Sequence, residues 1–389
     1  MRILMISDVY FPRINGVSTS IKTFKNELET LGHEVTLIVP AYTPEQNCDP
    51  VSDPSVIRVP SRYLWLDPED RAMRWGNIFA LREQLTHKQY DILHIQTPFI
   101  AHYVGVSLAK KLNIPRVETY HTYFEEYLYH YIPFLPKSWM KYVARHYTKT
   151  QCNDLDAVIV PSTAMQEVLV NYGVATHTEV LPTGIELDKF RDGDGEKFRK
   201  AYNIPVDRPT LVFIGRVAFE KNIDFLLNVV DQVRKSIPDV LLLIAGEGPA
   251  LPHLKKLANT LHLNSNVLFL GYLDRNKELL DCYASGDAFV FASNTETQGL
   301  VLLEAMALGV PVVSTAVMGT KDILAPKKGA LVCNETVNEF ADNIIRLLKD
   351  PTLRATLSQE ALDYVKTWSA LSMAKKLLQF YEKVVQKTS

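Results

Sequence analysis

Two glutamates separated by seven residues follow an apolar, strand-like segment in the second half of the chain. Glu296 and Glu304 stand at the two ends of Glu-Thr-Gln-Gly-Leu-Val-Leu-Leu-Glu, after the apolar run 288–291. Helical periodicity from Gly299 to Leu308 predicts that Glu304 lies in the second turn of a helix and Glu296 in the loop before it. Carboxylates on either side of a ligand can accept hydrogen bonds from hydroxyl groups, such as those of a sugar and a ribose.

The residues between these glutamates predict an anion site. The first backbone N–H groups of a helix lack acceptors within the helix, and they favour a phosphate. The alternative is that Glu296 only caps the helix and Glu304 lies on a solvated face. Glu304 has apolar neighbours in the sequence, however, where a carboxylate without partners is costly. The predicted ligand-binding residues of this segment are Thr297, Gln298, Gly299, Leu300 and Val301.

A cationic pair follows the predicted strand that opens the second half of the chain. Arg216 and Lys221 come shortly after the strand Thr210–Ile214. Arg216 can bind a diphosphate in bidentate fashion, and Lys221 can act as a point charge. Together they would neutralise charge on a leaving phosphate. The alternative is an ordinary arginine and lysine at a surface turn.

Glycine-containing loops after other predicted strands suit the close approach of a ligand. The loop that begins at Gly246 contains two glycines but lacks the third one of a dinucleotide fingerprint, which disfavours an oxidoreductase. Gly16 lies in the loop after the first strand, where a plain loop explains it almost as well. Backbone groups near Tyr272 are predicted to read the base of a nucleotide.

A histidine lies at the end of another predicted strand. His121 follows the strand Arg116–Tyr120 directly. In that position it can donate to a sugar hydroxyl or steady positive charge at a reacting carbon. A purely structural histidine is the alternative.

The segment from Tyr127 to Asn153 contains no acidic residue. After Pro136 it predicts a helix on which basic side chains recur every four positions, beside aromatic and apolar groups. Such a helix can lie on an anionic membrane surface, at about 1 kcal/mol per basic residue near the headgroups. The alternative is a solvated helix face with a buried apolar side. The predicted membrane-binding residues are Lys137, Trp139, Lys141, Arg145 and Lys149.

The elements that must position these residues alternate between apolar runs and helical periodicity. This pattern predicts parallel sheets built from strand-helix-strand units, with ligands beyond the carboxyl ends of the strands. The predicted strands of the first half are Arg2–Ile6, Glu34–Val39, Asp91–Ile95, Arg116–Tyr120, Ala157–Val160 and Glu179–Leu181. Those of the second half are Thr210–Ile214, Val240–Ala245, Val267–Leu270, Ala288–Phe291 and Val310–Ser314.

The length and the interruption of this pattern predict two domains. A stretch rich in glycine, proline and charge lies between Thr183 and Asp207, and the strand pattern restarts after it. We expect an N-terminal domain over residues 1–190 and a C-terminal domain over residues 205–369. The helical segment 370–389 could pack back onto the first domain.

The composition is that of an ordinary globular enzyme. The 389 residues include 42 basic and 44 acidic side chains, and the formal net charge of −2 argues against a surface that binds nucleic acid throughout. The sequence shows no signal-peptide pattern and no run of roughly 18 apolar residues, so we expect a cytoplasmic protein with peripheral membrane contact. The four cysteines lack the spacing of metal ligands.

Taken together, these motifs resemble those of glycosyltransferase family 4, whose members have the GT-B fold. The resemblance covers nearly the whole chain, from the loop at Gly16 through His121 to the cationic loop and the two glutamates. It implies an α/β fold of two doubly wound, Rossmann-like parallel-sheet domains that face each other across a cleft. It also implies that a glycosyl group is transferred from a nucleotide sugar with retention of configuration, and that neither a metal nor a cofactor is required.

The resemblance implies a role for each motif by its position. Glu304 would hold the ribose hydroxyls and Glu296 would contact the donor sugar. Arg216 and Lys221 would hold the diphosphate. The glycine of the first loop would approach the diphosphate from the other domain, and the histidine would line the sugar pocket.

Two details are similar to the diacylglycerol glucosyltransferase branch of this family. Gln298 stands where the family usually has an aromatic residue, and the segment His121–Tyr127 has the form His-Thr-x-x-x-x-Tyr. This implies transfer of a hexose, with UDP-glucose favoured as donor, to a lipid such as diacylglycerol on the inner face of the membrane. The alternatives are phosphatidylinositol, a soluble or glycan acceptor with a UDP- or GDP-sugar, and a non-catalytic sugar-nucleotide-binding protein. The sequence leaves the oligomeric state open.

Overall fold

The computed structural model describes residues 1–13, 15–43, 53–63, 71–121, 137–274 and 277–388, without the side chains of Phe79, Arg82, Lys137 and Ser138. The chain forms two compact α/β units. The first comprises Met1–Gly184 together with Ala370–Ser389, and the second comprises Ile185–Ser369.

The first unit contains a parallel sheet of seven strands in the order β3-β2-β1-β6-β7-β8-β9. Its central strands are apolar and buried on both faces, as is usual for parallel sheets. The sheet strands are β1 (Arg2–Ile6), β2 (Glu34–Pro40), β3 (Val56–Val59), β6 (Ile92–Ile95), β7 (Arg116–Thr119), β8 (Ala157–Val160) and β9 (Thr178–Val180). A separate antiparallel pair consists of β4 (Ser61–Tyr63) and β5 (Arg71–Met73).

Helices connect these strands and cover the sheet. The first begins at a capping box, in which Asn15 and Ser18 exchange hydrogen bonds between side chain and backbone. The helices are α1 (Gly16–Thr30), α2 (Trp75–Ala80), α3 (Arg82–Thr86), α4 (Ile100–Leu112), α5 (Lys137–Asn153) and α6 (Thr163–Asn171).

The second unit contains a parallel sheet of six strands in the order β12-β11-β10-β13-β14-β15. Its strands are β10 (Thr210–Ile214), β11 (Leu241–Ala245), β12 (Val267–Gly271), β13 (Ala288–Phe291), β14 (Val312–Thr315) and β15 (Ala330–Cys333). Its helices are α7 (Gly195–Ala201), α8 (Ile223–Val233), α9 (Leu251–Thr260), α10 (Glu278–Ala284), α11 (Leu300–Ala307), α12 (Thr320–Leu324), α13 (Val337–Lys349) and α14 (Pro351–Val365). Short 3-10 helices span Leu187–Phe190, Phe219–Lys221 and Lys366–Trp368.

The last helix, α15 (Ala370–Thr388), belongs to the core of the first unit. Its buried residues Leu377 and Phe380 pack in one cluster with Ile21 of α1 and with Ile3 and Met5 of β1. Helices α1 and α15 therefore cover the same face of the first sheet.

The predicted fold class is confirmed, since both halves form doubly wound parallel sheets and every predicted strand has a counterpart. The sequence patterns missed β3, β4, β5 and β15. Strands β3 and β15 form sheet edges, and β4 and β5 have only three residues each. Short or edge strands need no long apolar run because they are only partly buried, so their sequence pattern is weak.

Candidate active site

The strand order of the second unit reverses between β10 and β13. From β10 the sheet continues through β11 and β12 on one side, and through β13, β14 and β15 on the other. The loops after β10 and β13 therefore diverge at a topological switch point, where ligands of open α/β sheets bind. Arg216 and Lys221 follow β10, and Glu296 follows β13.

Lys221 and Glu296 form an ion pair at this switch point. The exposed fractions of the two side chains are 17% and 19%, so solvent screens the pair only in part. The backbone N–H of Asn294 donates to the carbonyl of Glu220 at 3.2 Å, which joins the same two loops. The structure thus brings together two predicted site residues that lie 75 positions apart in the chain.

Arg216 is exposed on a loop whose path is set by tight backbone packing. A Cβ atom added to Gly246 would lie 1.9 Å from the carbonyl oxygen of Gly215. The N–H of Val217 also donates to the carbonyl of Glu247 at 2.9 Å. Contact between the loops after β10 and β11 therefore explains why position 246 is glycine, in addition to any ligand contact.

The segment between the two glutamates forms the predicted start of a helix. Gly299 has φ +94° and stands at the N-cap of α11, where it offers no side chain to the first turn. Behind this turn, the N–H of Gly319 donates to the carbonyl of Glu296 at 2.8 Å. A Cβ at position 319 would lie 2.1 Å from the carbonyl oxygen of Thr297. The loop after β14 thus supports the first turn of α11, which carries Leu300 and Val301.

Two side chains of the segment between the glutamates are less exposed than those of a solvated loop. Gln298 is buried and Thr297 is half-buried. Tyr272, by contrast, follows β12 and is 65% exposed. The roles of these residues toward a nucleotide sugar stay predictions.

Glu304 is a buried carboxylate in the second turn of α11. Its side chain is 5% exposed, which rules out the alternative of a solvated face residue. The hydroxyl of Tyr283 donates to its Oε2 atom at 2.7 Å. Tyr283 lies on α10 and is fully buried. Sequence patterns did not predict this partner, because a tyrosine in an apolar helix face looks like any core aromatic residue.

In the first unit, Gly16 is the first residue of α1, directly after the loop that follows β1. Ser18 uses its backbone N–H for the capping box, with a distance of 2.8 Å to the Oδ1 atom of Asn15. A Cβ added to Gly16 would meet no described atom within 4 Å. Packing among the described residues therefore gives no reason for glycine at position 16, in contrast to position 246.

His121 lies just beyond β7, and burial lowers its pKa to about 4. Its Nε2 atom is buried and has no hydrogen-bond partner among the described residues. A buried polar atom without a partner is costly, so this nitrogen is available to a ligand hydroxyl. Residues 122–127 of the motif that starts here lie outside the described part of the chain.

Helix α5 carries the predicted basic residues on its outer side. Lys141, Arg145 and Lys149 are exposed, whereas Met140 and Ala144 are buried. The outward surface between them also includes two aromatic side chains, Trp139 at 54% and Tyr142 at 69% exposure. The side chain of Lys137 lies outside the described part.

A second exposed aromatic group adjoins α5, and the sequence patterns missed it. The rings of Trp75 and Tyr103 stack at a centroid distance of 6.5 Å, and each residue is 45% exposed. Burial and the neighbouring hydroxyl of Tyr103 raise the pKa of Tyr147 on α5. The two aromatics are 28 positions apart on α2 and α4, so only the tertiary structure places them side by side.

Comparisons with known proteins give the family. Residues 14–189 match Glycosyltransferase Family 4, and residues 194–363 match Glycosyl transferases group 1. An alpha-monoglucosyldiacylglycerol synthase of Streptococcus pneumoniae is 34% identical over 98% of this chain and 85% of its own length.

The chain belongs to glycosyltransferase family 4.

Two further comparisons agree with this membership. An alpha-monoglucosyldiacylglycerol synthase of Acholeplasma laidlawii is 28% identical over 100% of this chain and 98% of its own length. The crystal structure of Anabaena HepE in complex with UDP superposes with a TM-score of 0.77 at 16% identity, over 98% of this chain and 100% of that one. At that identity the likeness shows the fold alone. The predicted resemblance to family 4 and to its diacylglycerol glucosyltransferase branch is confirmed, as is the prediction of an enzyme.

Within the described residues of this family 4 glycosyltransferase, no helix is long and apolar enough to cross a membrane.

Proposed function

We propose that this family 4 glycosyltransferase moves glucose from UDP-glucose to diacylglycerol at a membrane surface, with retention of configuration and without a required metal. One observation carries the donor part of the proposal. Lys221, Glu296 and the first turn of α11 converge at the switch point of the second sheet. The names of the two synthases support the lipid acceptor.

In the proposed reaction, the hydroxyl oxygen of the acceptor bonds to the anomeric carbon on the face from which the diphosphate leaves. The bond between that carbon and the phosphate oxygen breaks, and its electron pair stays with UDP. The proton of the acceptor hydroxyl passes to the same phosphate oxygen. This course needs no nucleophilic side chain, and it retains the configuration at the anomeric carbon.

Charge grows on the diphosphate as the old bond breaks, so the main catalytic contribution is electrostatic. Arg216 and Lys221 supply positive charge, and the first turn of α11 supplies N–H groups and the positive end of the helix dipole. We therefore expect transfer to continue in the presence of EDTA. Glu304 binds the ribose hydroxyls in this proposal, and Glu296 binds the sugar.

Two residues of the first unit complete the donor site in this proposal. Position 16 carries no side chain, so in this proposal the diphosphate can approach the first turn of α1 closely. The unpartnered Nε2 atom of His121 binds a hydroxyl of the sugar. The low pKa of His121 keeps its ring neutral at physiological pH, so it acts as a hydrogen-bonding group rather than as a cation.

The membrane contact is proposed for the outer side of α5 and the adjoining pair Trp75 and Tyr103. Basic side chains attract anionic headgroups, and tryptophan and tyrosine favour the boundary between headgroups and acyl chains. A surface with both features holds the enzyme where a membrane-embedded acceptor is accessible.

The purified protein tests this proposal in one assay. It is incubated with UDP-glucose or GDP-mannose and with anionic vesicles that contain diacylglycerol, with and without EDTA. We expect an α-linked glucosyl lipid from UDP-glucose only, identified by mass spectrometry and by the anomeric coupling constant. A β-linked product would contradict retention, and loss of activity in EDTA would contradict metal independence.

Other acceptors provide the alternatives in the same assay. If glucose is transferred to phosphatidylinositol or to soluble inositol and not to diacylglycerol, that molecule is the acceptor instead of the proposed one. Binding of UDP-glucose without transfer to any acceptor would contradict catalysis.

A further inference from the structure

A histidine buried in the first sheet joins the last helix of the chain to the strand that precedes His121. The Nδ1 atom of His94, on β6, lies 2.5 Å from the hydroxyl of Tyr381 on α15. Its Nε2 atom lies 2.7 Å from the Oγ1 atom of Thr119, the last residue of β7. The exposed fractions of the three residues are 1%, 0% and 6% in the order His94, Tyr381, Thr119.

These three groups satisfy one another only in a defined arrangement. Burial is the main cause that lowers the pKa of His94, to about 3, so the ring is neutral at physiological pH. A neutral imidazole has one N–H donor and one acceptor nitrogen, so one hydroxyl must donate to the ring and the other must accept from it. Such a buried, fully paired network holds its members in fixed positions.

The network lies at the end of the strand that leads to His121. His94 is the register partner of Val117, so both side chains point to one side. Thr119 lies two positions after Val117 on β7, so its side chain points to that side as well and reaches His94. His121 follows two residues beyond the end of β7. Repulsion from His121 in its protonated form is a further cause of the low pKa of His94, so the two rings lie near each other. Glu118 stands between Val117 and Thr119 and points to the opposite face. There its Oε2 atom lies 2.6 Å from the Nδ1 atom of His102.

We propose that Tyr381 and His94 are positioning residues for His121. Through Thr119 they fix the end of β7, so that the free Nε2 atom of His121 stands at a constant place and orientation for the donor sugar. The C-terminal helix thereby contributes to the active site from a position 287 residues away from His94 in the chain. The inference rests on the role of His121 in the proposed function.

A purely structural role would predict a different pattern of variants. The neighbours of Tyr381 on the inner side of α15, Leu377 and Phe380, are apolar, so a phenylalanine would suit the same core. Removing one polar partner leaves another unsatisfied and costs stability, whereas replacing all partners by apolar groups of similar shape is nearly neutral. Stability and catalysis can therefore be separated.

The test compares the single variant Tyr381→Phe with the combined variant Tyr381→Phe/His94→Leu/Thr119→Val. We expect Tyr381→Phe to lower kcat between about tenfold and a hundredfold, as for a misplaced contact, with an unchanged Kd for UDP. We expect the combined variant to regain most of the wild-type Tm while kcat stays low. Recovery of both Tm and kcat in the combined variant would overturn the inference.

Two controls keep this test separate from the proposed function. Met373→Ala truncates a buried side chain of the same helix eight residues before Tyr381, and it should lower Tm while kcat stays within about twofold of wild type, since a core truncation mainly costs stability. An equal fall of kcat in this control would also overturn the inference. A wild-type protein that transfers no sugar would instead refute the proposed function, and a normal kcat in His121→Ala would refute the role on which the inference rests.

Discussion

At the scale of single residues, Lys221 and Glu296 form an ion pair with each other. In the proposed function each binds a different part of the donor, so the pair must separate when the donor binds. A diphosphate that binds Lys221 takes away the cationic partner of Glu296. Sugar hydroxyls can then replace that partner by donating to the carboxylate. The sugar half of the donor should therefore favour binding of the diphosphate half, because it stabilises the carboxylate that Lys221 leaves.

The first prediction concerns Lys221. We expect Lys221→Ala to lower kcat for glucose transfer by about a hundredfold to a thousandfold, since a lost electrostatic contact to the leaving group has that magnitude. Lys221 is partly exposed, so Tm should change little. Lys256→Ala, at an exposed position on α9, is the control. Near-normal activity of Lys221→Ala in steady-state assays would remove this residue from the mechanism.

The second prediction concerns Glu296. Glu296→Gln keeps the shape but removes the charge that competes for Lys221, so calorimetry should show UDP binding several-fold more tightly than to wild type. Transfer from UDP-glucose should fall at the same time, because the amide accepts sugar hydroxyls less strongly. Weaker binding of UDP by this variant would show that the ion pair does not compete with the diphosphate.

The third prediction compares two glycines. Gly16→Ala should leave Tm unchanged, since an added Cβ meets no described atom within 4 Å, but it should raise the KM for UDP-glucose. Gly246→Ala should lower Tm instead, since its Cβ would lie 1.9 Å from a backbone oxygen. Differential scanning fluorimetry and donor titrations distinguish the two effects. An unchanged KM in Gly16→Ala would mean that the donor does not approach α1 closely.

At the scale of elements, helix α5 presents two kinds of exposed side chain. The basic residues lie along one flank, and the aromatics Trp139 and Tyr142 lie on the outer side next to them. The pair Trp75 and Tyr103 adjoins α5 through Tyr147. Charge and aromatic surface can thus be altered independently.

The fourth prediction separates these contributions to membrane binding. Replacement of Lys141, Arg145 and Lys149 by glutamine should weaken binding to anionic vesicles on the order of a hundredfold, at about 1 kcal/mol per charge. It should also remove most of the salt dependence in vesicle sedimentation. The matched control replaces three exposed lysines of the second unit, Lys200, Lys235 and Lys256.

An aromatic variant completes that comparison. Trp75→Ser should weaken vesicle binding but leave its salt dependence as in wild type, because it removes apolar contact and no charge. If the charge variant binds vesicles like wild type, α5 is a solvated helix and the membrane surface lies elsewhere.

At the scale of the whole molecule, the chain crosses between its two units twice. It enters the second unit at Ile185 and leaves it after Ser369. These two points are adjacent, since the N–H of Ile185 donates to the carbonyl of Trp368 at 2.8 Å. Helix α15 then completes the core of the first unit. The first unit is thus built from residues of both ends of the chain.

The fifth prediction uses the stability of the folded protein as a measure of donor binding. At a concentration of 100 times its Kd, a ligand specific to the folded state adds about 2.7 kcal/mol to stability. We expect UDP and UDP-glucose to raise Tm, GDP to have a smaller effect, and Glu304→Gln to abolish the shift. A larger Tm shift with GDP would indicate that the donor carries guanine rather than uracil. A normal Tm shift in Glu304→Gln would show that Glu304 does not bind the ribose.

The sequence by itself determined the fold class, the family and the positions of the main site residues at strand ends. Arg216 and Lys221 follow one apolar strand, and Glu296 follows another. In a parallel sheet all such loops emerge at the same edge, so local patterns are sufficient to predict a common site. Periodicity also predicted that Glu304 lies in the second helical turn, and its apolar neighbours indicated that it needs a partner.

Only the tertiary structure decided which side chains meet. The ion pair of Lys221 with Glu296 depends on β10 lying next to β13, and Tyr381 reaches His94 because the last helix returns to the first sheet. The order of strands and the packing of distant helices leave no trace in local periodicity, because each strand or helix shows the same pattern beside any apolar neighbour. Contacts between residues that are distant in sequence arise when the sheets assemble. These contacts determine the ionic partners and the orientation of side chains that sequence patterns had placed only at strand ends.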